Sequence, residues 1–237
     1  MSNDWNDWLP TIETEFVFNK DNFLRQPNIS RTLHPGSTIQ TYQKYYDELK
    51  EEKYLYKDPD TGNPILSQWG ISLVAFQSSY YLKTLLENNL LDDIQSIYDI
   101  GGGYGSMCRV LRNYGWKGSY NLIDFDVVHK IQRYFLEKNN IYNFRQLKLD
   151  DLKTERWRPR GKTLLIATHS INEMPMSDRS KINYSDFTNL LIVHNSKWNN
   201  IDNSEYFKSL KLPHKTKHYR SNLSMSHYFF IGTQQAW

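Results

Sequence analysis

Apolar positions between residues 94 and 193 switch between unbroken runs and a helical spacing, which predicts buried strands alternating with amphipathic helices. Ile94 to Ile100 has the β-branched and aromatic content of a strand buried on both faces. Met107, Val110, Leu111 and Tyr114 then recur along one helical stripe. Asn121 to Ile123 is a second strand ending at Asp124, followed by a stripe of Val127, Val128, Ile131, Tyr134 and Phe135 that stops at Asn139-Asn140. Phe144 to Leu149 alternates as a strand into Asp150-Asp151, with at best a short helix after it. Thr163 to Ala167 and Asn189 to Val193 are two more buried strands, and Lys215 to Arg220 with Met225 to Gly232 reads as a hairpin around Ser221-Asn222. The expected fold class is α/β: a doubly wound, seven-stranded, mostly parallel sheet with a C-terminal antiparallel hairpin.

Upstream, Val74, Ala75, Ser78, Tyr81, Leu82, Leu85 and Leu86 predict a long helix from Ile71 to about Leu90. Asp58 to Pro64 is a turn cluster, and Tyr42, Tyr45, Tyr46 and Leu49 give a stripe to a helix over Tyr42 to Leu55. The first forty residues carry Pro10, Pro27, Pro35 and Gly36 between short apolar pieces. Residues 1–66 are therefore expected to form an arm or cap laid over a main domain at 67–237.

Ligands of such sheets bind at the carboxyl ends of the strands. There the run Ile97-Tyr98-Asp99-Ile100-Gly101-Gly102-Gly103-Tyr104-Gly105 passes from a strand through an acid and glycines into a helix. Glycines let backbone N–H groups approach a ligand, at a helix N-terminus that favours negative charge. A dinucleotide fingerprint fits poorly, because Ser106 or Cys108 stands where the third glycine belongs. Asp124 lies roughly twenty residues past the glycines, the spacing at which an acid meets a ribose diol. Two strand-terminal carboxylates in neighbouring positions are hard to explain by packing alone.

The run Asp99 to Gly105 closely resembles the glycine loop of class I S-adenosylmethionine-dependent methyltransferases, and the pattern from Ile94 to Trp237 is similar to their whole domain. With Gly62-Asn63-Pro64, Tyr120 to Asp124 and Ser170 to Pro175, the chain resembles the sugar O-methyltransferase family of surface-polysaccharide biosynthesis over roughly Asp60 to His194. The resemblance implies S-adenosyl-L-methionine as cofactor, with Asp99, Gly101 and Gly103 at its methionine end, Asp124 on the ribose and Phe125 beside the adenine. It places Asp150, or equally Asp151, at the adenine amine. Tyr104 and Gln77 are further candidates to reach the cofactor.

Methyl transfer to a sugar hydroxyl needs a base. His169, directly after the fourth strand, is the first candidate, with Glu173 to orient it; His194 at the end of the fifth strand is the next. His227 is read as structural. His214 and His218 are four apart in a segment that reads as turn or strand, so no shared metal is expected, although Asp150, Asp151 and Asn172 could be drawn into a Mg²⁺ site.

Composition narrows the partners. With 29 basic and 26 acidic residues the net charge is +3, too balanced to suggest nucleic acid. Clusters at Arg156, Arg158, Arg160 and Lys162, and at Lys211, Lys215, Lys217 and Arg220, are solvated faces or contacts to a substrate phosphate. One cysteine, Cys108, excludes an intrachain disulfide and suits a reducing cytoplasm. Met1 to Pro10 lacks the apolar run of a signal peptide, and no window has the length of a membrane span. The expected partner is a small-molecule or glycan substrate, with a homodimer formed by swapping the arm left open. Alternatives are N-methylation of a small amine, an inactive cofactor-binding module acting as a protein partner, and, more weakly, an NAD oxidoreductase.

Overall fold

The computed structural model describes residues 5–224 and 226–234. In chain order its elements are α1 (Trp5–Phe18), α2 (Pro27–Leu33), α3 (Ile39–Leu49), α4 (Leu73–Glu87), β1 (Ser96–Ile100), α5 (Ser106–Tyr114), β2 (Ser119–Ile123), α6 (Asp126–Lys138), β3 (Phe144–Leu147), β4 (Thr163–Thr168), α7 (Met176–Arg179), β5 (Asn189–Asn195), β6 (Lys197–Trp198), β7 (Ile201–Asp202), α8 (Asn203–Ser209), β8 (His214–Arg220) and β9 (His227–Gln234). They divide into two units: Met1–Thr84 with Gly103–Lys117 and Asp126–Tyr142, and Leu85–Gly102 with Gly118–Phe125 and Asn143–Trp237.

The second unit holds the sheet, in the order β3-β2-β1-β4-β5-β9-β8. The first five strands of that order are parallel, and β9 and β8 close it antiparallel. The seven predicted strands are therefore present, and the chain reverses its direction of travel between β1 and β4. Side chains alternate faces along a strand. Tyr98, Ile100, Leu165, Ala167, Leu190, Ile192 and Phe230 accordingly share one core with Ile171, Ile182, Tyr184, Phe187 and Phe207. Asp99 belongs to the opposite face, opposite Leu122 on one side and Ile166 on the other.

Some boundaries move. The third strand stops at Leu147, since Leu149–Lys153 is a 3₁₀ turn, the short helical piece expected between the third and fourth strands. The hairpin pairs His214–Arg220 with His227–Gln234, and the Met225 end predicted for its second strand lies outside the described residues.

In the first unit, residues 5–40 are largely helical, where the sequence pattern predicts only short apolar pieces. Pro27 stands in the first turn of α2, where a missing N–H costs nothing, while Pro10 lies inside α1 and masks its period. Ile12 and Phe16 of α1 are buried. Phe16 packs edge-on against Phe23 and Tyr134, at centroid separations of 5.7 and 5.6 Å. Helix α3 carries the predicted stripe but ends at Leu49, where the apolar period gives way to Glu51, Glu52 and Lys53. Its Tyr45 lies 6.2 Å from Phe76 of α4. Tyr114, the fourth member of the α5 stripe, is 44% exposed, because the helix unwinds at Gly115 through a left-handed turn with φ +102°.

Candidate active site

The carboxyl edge of the second unit's sheet gathers most of the predicted residues. Asp99 is 1% exposed and its Oδ2 accepts a hydrogen bond from Tyr120 Oη at 2.7 Å. Its Oδ1 is buried with no partner among the described residues. Burial pushes the carboxyl up to about 7, against a smaller opposing effect of Tyr120.

Gly101 follows with φ +70° and its N–H donates to Ile123 O at 2.9 Å. A Cβ there would collide with Ser170, whose hydroxyl donates to Ile100 O, so this glycine serves a close approach of two loops. Asp124 lies two residues past Leu122, on the Asp99 side by strand alternation, and its N–H still bonds Leu147 O at 3.2 Å. Its Oδ1 accepts from Phe125 N at 3.0 Å, and the Phe125 ring is 43% exposed.

Asp150 and Asp151 separate. Asp151 Oδ2 accepts from Lys148 N at 2.7 Å and is committed to capping its turn, whereas Asp150 is exposed and lies 3.2 Å from Lys181 Nζ. The three remaining cofactor candidates belong to the first unit. Gly103 has φ +54° and open space where a Cβ would stand. Tyr104 is buried edge-on against Phe135 at 4.7 Å and His34 at 5.5 Å, a packing position. Gln77 hydrogen-bonds Tyr45.

His169 leaves β4 in the left-handed region, φ +68°, held by its N–H to Val193 O at 2.7 Å. Its half-buried ring lies 4.2 Å from that of His227, a residue whose place in the hairpin predicts a structural role. Burial, then the neighbouring His227 and His194, push its imidazole down to about 3, so it is neutral at any working pH. Glu173 closes the 3₁₀ turn Ile171–Glu173, half-buried. His194 is fully buried, with Nδ1 2.9 Å from Asn195 O and Nε2 2.9 Å from His218 Nε2, and Phe207 and Tyr228 rings around it. Both nitrogens are occupied, which makes it a packing group. His214 instead sets its Nε2 2.7 Å from Phe187 O.

A cationic amino-acid end and a ribose fit this edge: an orphaned buried carboxylate oxygen stands at the tip of β1 and an acid with an exposed aromatic neighbour at the tip of β2. The sequence reading missed Arg179, which is 1% exposed, because it lies in a helix of four residues with no apolar period to mark it.

No protein-family model and no curated protein matches the sequence. Among solved structures, the methyltransferase domain of the bacterial protein CtHen1 is similar in two forms. The CN form matches at 8% identity over 66% of this chain and 97% of that one, with a TM-score of 0.51. The C form matches at 8% identity over 68% and 97%, with a TM-score of 0.52. With a seven-stranded sheet closed by an antiparallel hairpin, this chain has the fold of a class I methyltransferase domain.

Proposed function

We propose that the chain is an S-adenosyl-L-methionine-dependent O-methyltransferase that methylates a sugar hydroxyl, on a nucleotide sugar or a surface-glycan unit. The observation that carries the cofactor assignment is Asp99: a carboxylate buried at the tip of β1 with Oδ1 unpartnered costs stability unless a cation meets it. Asp124, one strand over, is the acid for the ribose hydroxyls, and Phe125 offers a ring face to the base. The sugar acceptor is supported by Gly62-Asn63-Pro64, Tyr120 to Asp124 and Ser170 to Pro175, which resemble the sugar O-methyltransferase family.

When bound, the cofactor supplies a methyl group on a sulfonium, which the acceptor oxygen takes in line as the C–S bond breaks. The residues of this chain hold and align the reactants and exclude water. Asp99 balances the positive amino group, and Asp124 fixes rotation about the ribose. His169 Nε2 or Nδ1 receives the acceptor's proton. An imidazole pushed down to about 3 is neutral but weakly basic. That low basicity favours a second reading, transfer to a small amine, which needs no strong base.

Calorimetry with S-adenosylhomocysteine tests the assignment: one equivalent binds to the native chain, and Asp99→Asn weakens it at least tenfold. Absence of binding to the native chain overturns the proposal. His169→Ala then separates the acceptors. A loss of turnover of about 10²–10⁴ with binding kept supports a hydroxyl, and near-native turnover supports an amine.

A further inference from the structure

We propose that the loops after β4 and β5 form a seat for an anionic group, a carboxylate or phosphate, built from the Arg179 guanidinium and the side-chain amides of Asn172 and Asn203. Naming that anion as part of the methyl acceptor rests on the function proposed above; the seat itself does not.

Arg179 is 1% exposed. Its Nε donates to Met174 O at 2.9 Å and its Nη2 to Asn172 O at 2.7 Å, while Nη1 is buried without a partner among the described residues. The guanidinium carbon lies 4.8 Å from the Tyr206 ring centroid, and none of the ion pairs among the described residues brings a carboxylate to it. Two carbonyls satisfy donors but do not neutralise a charge, and a buried cation is ordinarily paired. Burial lowers the guanidinium's proton affinity, as expected for a charge lacking a counter-ion.

The second observation is independent. Asn172 and Asn203 are both 0% exposed, and the Nδ2 and Oδ1 of each are without partners among the described residues. Buried amides are almost always hydrogen-bonded, so two wholly unsatisfied ones mark a place built for something else. They stand on one edge of the sheet. Asn172 lies in the turn that follows β4, and Asn203 N donates at 2.8 Å to the carbonyl of Ser196, the residue just past β5. Tyr206, under the guanidinium, is on the same helix as Asn203.

The donors suit an anion: Nη1–H and two amide N–H groups toward anionic oxygens, with the amide oxygens left for a neighbouring hydroxyl. The acids next to Asn203 and Arg179 in sequence are otherwise engaged, Asp202 accepting from Glu205 N at 3.1 Å and Asp178 lying 2.8 Å from Lys181 Nζ. The basic cluster singled out in the sequence does not compete. Arg158, Arg160 and Lys162 are at least half exposed and lie beside Asp186, Glu155 and Asp93.

The test is thermal unfolding of the full chain in potassium phosphate and in potassium acetate, against potassium chloride at matched ionic strength, beside calorimetry with S-adenosylhomocysteine. The native chain is expected to gain several degrees from phosphate or acetate, and the more effective salt identifies the group. Asn172→Asp and Asn203→Asp each place a carboxylate in the proposed seat. At least one should equal or exceed the native midpoint in chloride and raise the half-saturating anion concentration at least tenfold. No response of the native chain to either anion overturns the seat, as does an undiminished response in both variants, which would mean an adventitious ion only. Anion protection without nucleoside binding keeps the seat and overturns the methyltransferase reading; nucleoside binding without anion protection does the reverse.

Discussion

At the scale of single residues, burial decides which charges this chain tolerates. Asp99 is raised from 3.8 to about 7 by burial, so between those values the native state binds a proton that the unfolded chain releases. Its contribution to stability is therefore lost as pH rises through that window. Denaturant titrations of Asp99→Asn should show the variant gaining on the native chain from pH 4 to 7, with a constant difference above. Cofactor affinity should rise with pH through the same window, since binding a cation draws the proton off. The glycines separate by space. Gly101→Ala meets Ser170 and should cost about 1–3 kcal/mol in stability. Gly103→Ala meets open space and should cost roughly 1 kcal/mol, from its positive φ alone. Paired unfolding curves check the order.

At the scale of elements, caps and periods explain what was legible. β1, β2, β4 and β5 could be read directly because each is a short apolar run ending at a polar residue. The N-terminal helices could not, because their fastening is non-local. The Glu15 carboxylate of α1 accepts from the backbone N–H groups of Asn28 and Ile29, both at 3.0 Å, and from Asn28 Nδ2 at 2.7 Å. It caps α2 across thirteen residues of chain, where no local signal reports it. Glu15→Gln should cost about 1–2 kcal/mol and speed amide exchange through Pro27–Leu33 ahead of the rest of the chain. Arg179 was hidden for the same reason: a four-residue helix has no period, and its burial comes from Met174, Asn172 and Tyr206.

At the scale of the whole molecule, His34, His194 and His227 are lowered to about 4 and His169 to about 3, in each case chiefly by burial. Below their ordinary value of 6.5 the unfolded chain takes up protons that the native state refuses. Their stabilisation is thus complete above about pH 6.5 and lost as pH falls toward 4, and unfolding midpoints across that range should drop accordingly. The periodicity of the apolar residues alone determined the strand succession and the two acids at the tips of β1 and β2, because strand and helix periods are local properties of the chain. Which histidine stayed near the edge and which was consumed by a partner, and that a guanidinium would be buried with no carboxylate beside it among the described residues, were decided only when segments distant in sequence met. Desolvation and hydrogen-bond satisfaction depend on neighbours that no local pattern encodes.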